Sequence, residues 1–502
     1  MKPNILILMT DQHRWDLRKS RGYSLDTMPF LDSWGKNGVD FTCAYTPNPT
    51  CMPARVSMFT GRYPESHKVR TNHNGEDARY TVDMLELLKK EGYATALCGK
   101  NHSHHPENDF DFAETSGHLG HEGNWKPSGE IEENFAKFMD DTKHMETHIP
   151  SPGGLEVQHP YRNVSSAFKF LDSKPKESPF FLWLSFAEPH NPYQVPEPYF
   201  DLFPPESLPP LHAGPEVLPA KGHKFSWIRG VWEKVLGSDI EKRIQRVRSN
   251  YHGMLRLIDD QFKRMIEGLE SRKLLENTIV IFIADHGDFV GEYGLIKKGP
   301  DLPEILTRIP FIWRGPGIKS QGLNNEACVN TVDIFPTICD LLGLETPFGV
   351  QGKSILPLLA GRQIPAGEYS TAYSELGFGG LYWDENDSLD LATEGASPPG
   401  GRPFPFDELN TWTQCGQVRM LRKGRYKMQV DMMGTGYLYD LETDPCEVKN
   451  LFDDPAYTVV KADMLVGLTS AILRACDPIP APRRRYHYKA HPKGWWFQDY
   501  HK

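Results

Sequence analysis

Cys51 opens the run Cys51-Met52-Pro53-Ala54-Arg55, and Thr60-Gly61-Arg62 closes it. Pro53 suits the first turn of a helix, where its missing N–H costs nothing. Val56, Met58 and Phe59 give a helix Pro53–Thr60 an apolar side, and Gly61 stops it. Cys51 is therefore expected just before a helix N-terminus. Unpaired N–H groups and the helix dipole favour an anion there, whether a bound oxyanion or an ionised nucleophile. The plain alternative is a buried cysteine ahead of an ordinary capped helix. A second kind of chemistry is written in Thr10-Asp11-Gln12-His13 and Ala284-Asp285-His286-Gly287. Hard oxygen ligands hold a divalent cation, which polarises an ester and stabilises an ionised hydroxyl. Asp11 alone reads as a turn residue after a strand; beside Cys51 and Asp285 the metal reading prevails.

These residues need a scaffold that gathers them. Asn4–Thr10 and Thr278–Ala284 are apolar nearly throughout, as is Pro179–Phe186, and all three read as buried strands. Val82–Glu91 reads as an amphipathic helix leading to a short strand Ala94–Cys98, and a long helical region covers about Ser238 to Lys273. Strands without a polar face, alternating with helices, predict a parallel sheet covered on both sides. Ligands of such sheets bind outside the carboxyl ends of the strands. Asp11, His190, Asp285 and His286 all follow strands, so one edge should collect them.

From about Gly367 the texture changes. Phe378–Gln417 is rich in Gly, Pro, Asp and Glu and reads as a long loop or inserted excursion. Val418–Val430 and Gly436–Leu441 read as antiparallel strands around the turn Met433-Gly434-Thr435-Gly436, and Pro455–Ala475 as a helix. This divides the chain into a catalytic domain, 1–366, and a C-terminal subdomain, 367–502. Phe203–Lys224 is proline-rich and reads as an irregular surface segment. The tail Arg483-Arg484-Arg485-Tyr486-His487-Tyr488, with Trp495-Trp496, mixes cations and aromatics that suit either an anionic sugar, sulfated or carboxylated, or an ordinary solvated or packing surface.

The 502 residues are 39% hydrophobic and 24% charged, which indicates a soluble globular protein. A formal net charge of −10 argues against general binding to nucleic acid. No apolar run reads as long enough to span a membrane. Ile5–Met9 is too short for a signal-peptide core and runs straight into Thr10-Asp11-Gln12. As written, the chain starts inside its first strand, which predicts a cytoplasmic protein, or a periplasmic one if a leader has been removed. Eight cysteines without paired or metal-type spacing suit a reducing compartment.

The pattern C-x-P-x-R-x-x-x-x-T-G-R at Cys51–Arg62 resembles the signature of type I sulfatases, members of the alkaline-phosphatase-like superfamily. In that family a maturation enzyme oxidises the cysteine to formylglycine, an aldehyde that hydrates to a geminal diol. Gly92-Tyr93-Ala94-Thr95-Ala96-Leu97-Cys98-Gly99-Lys100-Asn101-His102 resembles the family motif G-Y-x-T-x-x-x-G-K-x-H. Pro189-His190-Asn191-Pro192 is similar to its P-H-x-P run, and Lys298-Gly299-Pro300 to the pattern around its second lysine, with Lys297 the fallback. The segments Tyr439–Pro445 and Asn450-Leu451 resemble the family's C-terminal subdomain. The first metal run usually reads Asp-Asp; here Gln12 takes the second place, with one negative charge fewer and an amide oxygen as the potential ligand.

The resemblance implies an α/β fold: a large, mostly parallel sheet sandwiched by helices, with a smaller C-terminal antiparallel sheet plus helix. It implies a sulfuric ester hydrolase that takes a sulfate monoester, a small molecule or a saccharide, with a sugar sulfate preferred. The metal set is Asp11, Gln12, Cys51, Asp285 and His286, holding Ca2+, with Mn2+ the alternative because of the histidine nitrogen. Hydrated formylglycine at Cys51 attacks sulfur, His190 protonates the departing alcohol with help from Lys298, and His102 promotes release of sulfate from the covalent sulfo-enzyme. Lys100 and Arg55 stabilise charge, and Asn72 offers an amide to the sulfate. Three alternatives stand beside this: an aryl sulfatase, a phosphonate monoester or phosphodiester hydrolase of the same superfamily, and a non-catalytic binding protein. The phosphonate enzymes share the Asp-Gln and Asp-His pairs but tend to lack Lys-x-His, so Lys100 and His102 favour sulfate. A homo-oligomer is left open.

Overall fold

The structure is a computed structural model and describes residues 2–319, 321–365, 367–378 and 416–477. Twelve strands can be named in chain order. They are β1 Asn4–Thr10, β2 Val39–Tyr45, β3 Ala94–Gly99, β4 Phe112–Thr115, β5 Phe180–Ser185, β6 Thr278–Ala284, β7 Phe311–Arg314, β8 Gly322–Asn330, β9 Thr371–Leu376, β10 Val418–Lys423, β11 Tyr426–Asp431 and β12 Gly436–Asp440. The first eight form one sheet in the order β4-β3-β5-β1-β6-β7-β2-β8. β7 runs antiparallel to β6 and β2; all other pairings are parallel.

The central strands are apolar on both sides because both faces are covered. Side chains alternate across a strand. Leu6, Leu8, Leu182, Leu184, Val280 and Phe282 therefore enter one core, with helices His159–Ser173, His223–Leu236 and Ile240–Ser271. Ile5, Ile7, Met9, Phe181, Trp183, Ile279, Ile281 and Ile283 enter the other, with helices Cys51–Thr60, Met84–Lys90 and Ile334–Leu341. All of these strand side chains are essentially buried. Truncating one, as in Leu184→Ala, should cost about 2–5 kcal/mol of stability.

The expected elements appear with small corrections. β1 and β6 have the bounds read from the sequence. β3 extends one residue further, to Gly99. The segment Val418–Val430 is two strands, not one: β10 and β11 pair across Gly424-Arg425, with Gly424 in the left-handed region at φ 57°. The small sheet, β12-β11-β10-β9, gains β9, which the sequence reading did not assign. Phe203–Lys224 holds short turns of helix at Pro205–Ser207, Pro215–Val217 and Leu218–Lys221, and its last two residues open helix His223–Leu236. The bulk of Phe378–Gln417 and the whole Arg483–Trp496 tail lie outside the described residues.

The C-terminal helix Thr458–Cys476 docks Met464 and Leu468 beside Leu421 and Met428 of the small sheet. Gln351 Nε2 donates to the Ala475 carbonyl at 2.9 Å and ties this helix to the large domain. Together with the preceding turn, Pro455–Cys476 is long and apolar enough to cross a membrane by length and composition. That corrects the expectation that no such run exists. Among the described residues the cysteines form no disulfide, and Cys43 and Cys328 on adjacent strands bring their Sγ atoms to 3.6 Å as thiols.

Candidate functional site

The carboxyl ends of β1, β3, β5 and β6 deliver Asp11, Lys100, His190 and Asp285 to one edge of the sheet, and β2 leads to Cys51. The helix after β2 begins at Cys51 itself, with extended Thr50 as its cap, so Cys51 is the first helical residue and not the one before it. Pro53 falls within the first turn, where its lack of an N–H is harmless. Gly61 ends the helix in the left-handed region at φ 63°, as expected. Asn72 Oδ1 accepts from the Met52 N–H at 3.0 Å, which satisfies one orphan donor of that terminus. Its Nδ2 has no partner among the described residues.

Around Cys51 lies a buried cluster of cation-ligand type, with Asp11, Asp285 and His286. Cys51 Sγ stands where an oxygen of the hydrated aldehyde would be. It lies 3.6 Å from Asp11 Oδ1 and 3.3 Å from His286 Nε2, which is itself 3.8 Å from Asp11 Oδ1 and 3.7 Å from Asp285 Oδ1. Two oxygens ~2.4 Å from one calcium at a right angle are ~3.4 Å apart, so the spacing suits ligands of one ion. His286 Nδ1 donates to the Gly287 carbonyl at 2.9 Å, which leaves Nε2 for the cluster. The orientation of Gln12 provides the independent test. Its Nε2 donates to Asp288 Oδ2, while its Oε1 is buried with no hydrogen-bond partner. A buried amide oxygen is costly to leave unpaired. A cation beside Asp11 and Asp285 would satisfy it, so the donor set fits a hard divalent ion.

Three cations close on the same point. Arg55 is fully buried, and each of its three guanidinium nitrogens donates a hydrogen bond. Nε donates to Asp285 Oδ2 at 3.0 Å and Nη2 to Asp11 Oδ2 at 2.9 Å. Nη1 donates to the Lys100 and Asn101 carbonyls, each at 3.1 Å, and to Ser185 Oγ at 2.8 Å. Lys100 Nζ pairs with Asp11 Oδ2, and Lys298 Nζ donates to Cys51 Sγ at 3.1 Å. Lys297, the alternative, lies over the Trp232 ring at 5.1 Å. Burial alone would raise the Asp11 carboxyl; Lys100, His190, Arg55 and Lys298 outweigh it and hold Asp11 well below the usual range. Burial and Asp11 also push the Cys51 thiol up, yet Lys100, Lys298 and His286 bring it well below its ordinary value. The pocket is built to stabilise negative charge at the side chain of residue 51.

Two histidines flank these groups. His102 sits at φ 48°, a strained conformation for a residue with a Cβ. Burial and Lys100 lower its pKa. His190 donates from Nδ1 to the Asn191 carbonyl at 2.6 Å, which leaves Nε2 as the ring nitrogen for another partner. Burial, then Lys298 and Lys100, hold His190 well below the ordinary histidine value against the opposing pull of Asp11. The loop that carries Lys100 and His102 is fastened at its far end. His104 and His105 Nε2 both meet Asp83 Oδ2, at 2.9 and 2.5 Å, and Asp83 also caps helix Met84–Lys90. These are hydrogen-bond lengths, shorter than the ~3.3 Å between two ligands ~2.0 Å from one zinc, so the trio works as a clamp.

The structure thus brings Asp11, Gln12, Cys51, Arg55, Lys100, His102, His190, Asp285, His286 and Lys298 together, with Asn72 beside Cys51. The sequence reading missed Asp288, which holds Gln12, and His118, which touches both Lys100 and His190. Asp288 stands in the same strand-end run as Asp285. His118 follows β4, a four-residue strand too short and too exposed to show a period.

A buried cysteine at a helix N-terminus, a cluster of hard-cation ligands and converging lysines on the carboxyl edge of a doubly covered sheet suit a hydrolase for anionic esters. The family model described as Sulfatase matches residues 3–344. The arylsulfatase of Clostridium perfringens is 30% identical over 487 residues, which cover 91% of this chain and 92% of that protein. The chain belongs to the sulfatase family and is a sulfuric ester hydrolase. Two solved structures share its fold. The phosphonate monoester hydrolase of Agrobacterium radiobacter has a TM-score of 0.73 and 22% identity, with 94% of this chain and 96% of that chain covered. A second, solved with its substrate D-glucosamine-2-N,6-O-disulfate, has a TM-score of 0.69 and 20% identity, with coverage of 95% and 98%.

Proposed function

We propose that the protein hydrolyses a sulfate monoester carried on a sugar, using formylglycine made from Cys51 by a maturation enzyme and one divalent ion held by Asp11, Gln12, Asp285 and His286. The observation that carries this is the convergence of Lys100, Lys298 and Arg55 on residue 51, with Lys298 Nζ 3.1 Å from its Sγ. The ion is read as Ca2+, with Mn2+ the alternative that the His286 nitrogen suits. When bound, it supplies a Lewis acid for the ester oxygen and lowers the pKa of the attacking hydroxyl.

The remaining chemistry belongs to the chain. Lys298 and Lys100 hold the sulfate oxygens and the charge that develops on them. Arg55 holds Asp285 Oδ2 and Asp11 Oδ2 by one charge-assisted hydrogen bond each, which favours the ionised form of both. Asn72, held by its Oδ1 on the Met52 N–H, offers Nδ2 as a donor to the sulfate. His190 exchanges a proton at Nε2 with the departing alcohol. In the free protein burial, then Lys298 and Lys100, hold His190 well below its ordinary value; an anionic substrate offsets the field of the two lysines and favours the protonated ring. His102, neutral by burial and by Lys100, serves as the base at residue 51 once the alcohol has left.

The sugar is supported by the neighbour solved with a sulfated glucosamine. A second reading, a phosphonate monoester hydrolase, is favoured by the Asp11-Gln12 and Asp285-His286 pairs and by the first solved neighbour. Lys100 and His102 favour sulfate. Side-by-side kcat/KM on a sugar sulfate, an aryl sulfate and an aryl phosphonate tests the choice. Faster phosphonate turnover would overturn the sulfate reading.

A further inference from the structure

His118 touches two of the groups that carry the chemistry, and nothing assigns it a role. It lies in the connection after β4, at the same carboxyl edge of the sheet as Asp11, Lys100 and His190. The connection is held firmly. Glu122 Oε2 accepts from the His118 N–H at 2.7 Å and from the Leu119 N–H at 3.3 Å, and Asp140 Oδ1 accepts from the Gly120 N–H at 3.0 Å. From this support the His118 ring stacks on the His190 ring, with centroids 3.8 Å apart and planes 23° from parallel. Its Nε2 lies 2.7 Å from Lys100 Nζ.

An ammonium group has three donors and no acceptor, so this contact assigns the tautomer: His118 Nε2 accepts and Nδ1 carries the proton. Burial, then His190 and Lys100, lower the His118 pKa well below its ordinary value, in agreement with a neutral acceptor. Lys100 then spends one N–H on Asp11 Oδ2 and one on His118 Nε2. Two fixed N–H directions on a tetrahedral nitrogen fix the third. With Asp11 alone, only one hydrogen bond would hold the ammonium, and the flexible lysine side chain could pivot about that contact. His190 is likewise anchored at one point, by Nδ1 on the Asn191 carbonyl at 2.6 Å, and a ring held at one atom can still rock. The stacked His118 ring closes one face and sets the plane in which Nε2 points.

We propose that His118 is a positioning residue for both groups: its Nε2 aims the free N–H of Lys100, and its ring sets the orientation of His190. This rests on the sulfatase reading of the site. The two tasks use different parts of one side chain, so two substitutions separate them. His118→Phe keeps a ring for the stack and removes the acceptor. His118→Gln places an amide oxygen near the Nε2 position and removes the ring.

The test uses the matured, metal-loaded full chain with 4-nitrophenyl sulfate and phenyl sulfate, a good and a poorer leaving group. His118→Phe should lose ~10–100-fold in kcat/KM on both esters alike, because a misaimed Lys100 weakens sulfate stabilisation whatever departs. His118→Gln should lose at least ~10-fold more on phenyl sulfate than on 4-nitrophenyl sulfate, because only the poorer leaving group needs the proton from His190. Unchanged melting temperature and metal content in both variants exclude a merely structural effect. The proposal is overturned if both variants stay within about twofold of wild type, or if both lose equally on both esters. If wild type itself prefers a phosphonate, the sulfatase reading fails. The same pair of variants on aryl phosphonates of different leaving groups then judges His118 alone.

Discussion

Asp288→Asn changes one atom, touches no reacting group, and should loosen the cation. Asp288 Oδ2 accepts from Gln12 Nε2 and from Tyr193 Oη at 2.8 Å, while Oδ1 accepts from the Val290 N–H at 2.8 Å. All three partners donate, so the site requires two acceptor oxygens. An amide supplies one. If its NH2 faces Val290, a backbone donor is stranded; if it faces Gln12, two NH2 groups oppose each other. The second conflict relaxes by a flip of the Gln12 amide, which turns Nε2 toward the cation site and withdraws Oε1, now buried and partnerless. Loss of a supporting partner of this kind typically weakens metal binding ~10–100-fold, or about 1.4–2.7 kcal/mol. A hydrogen bond to a charged group is worth a similar ~1.5–3 kcal/mol. Competition with a fluorescent chelator for Ca2+ and Mn2+ gives the two affinities. Activity of the variant should return to within a few fold of wild type when the metal is raised by the same factor. An unchanged affinity would refute the claim that Asp288 orients Gln12 as a ligand.

Four further outcomes are expected. Made with a competent maturation enzyme, the peptide containing Cys51 should be lighter by mass spectrometry and react with carbonyl reagents; Cys51→Ser should be inactive in hosts that convert only cysteine, and full activity there would sink the mechanism. Asp285→Ala should abolish turnover by losing the ion and a partner of Arg55; full activity of chelator-treated, metal-free protein would show the cation assignment to be wrong. His190→Ala should lower turnover of a sugar sulfate ~10²–10⁴-fold but that of an activated aryl sulfate far less, and equal losses would move the acid elsewhere, first to Lys298. The Asp83 clamp gives a pH dependence. Burial raises Asp83, but His104 and His105 hold it well below the usual carboxylate range, so its stabilisation is present above the unfolded value near ~3.9 and is lost as pH falls through the folded one. His105 is opposite in sign: burial lowers it, but Asp83 and Asp109 raise it overall, so its contribution is present below ~6.5 and is lost as pH rises through its folded value. The melting-temperature gap between wild type and Asp83→Asn should therefore be widest between about pH 4 and 6.5 and should narrow on both sides; a gap independent of pH would refute the clamp.

What could be read from the sequence was set by how each element earns its order. β1 and β6 are buried on both faces, so every residue from Asn4 to Thr10 and from Thr278 to Ala284 is under the same demand, and their ends coincide with the change to polar residues. That fixed where Asp11 and Asp285 stand, since both follow directly. The start of the Cys51 helix was read two residues late because proline was taken as the opening residue, whereas any first-turn position tolerates it. β10 and β11 were read as one strand because the alternation of side chains runs on through Gly424-Arg425; only the positive φ of Gly424 marks the reversal.

Orientation within the site was harder to read than membership of it. A motif names Gln12 and Lys100, but the direction of an amide or an ammonium depends on partners far away in the chain. Asp288 is 276 residues from Gln12, and His118 meets Lys100 from a loop beyond an intervening strand. No periodicity encodes such pairs. β4 spans only Phe112–Thr115, with three of its four residues half-buried, so it carries neither the continuous apolar run of a central strand nor a clear alternation. Yet β4 is parallel to β3, and its carboxyl end opens on the same edge. The rule that gathered Asp11, His190 and Asp285 applies to His118 with equal force. A single edge strand left unread hid a histidine that takes a hydrogen bond from Lys100.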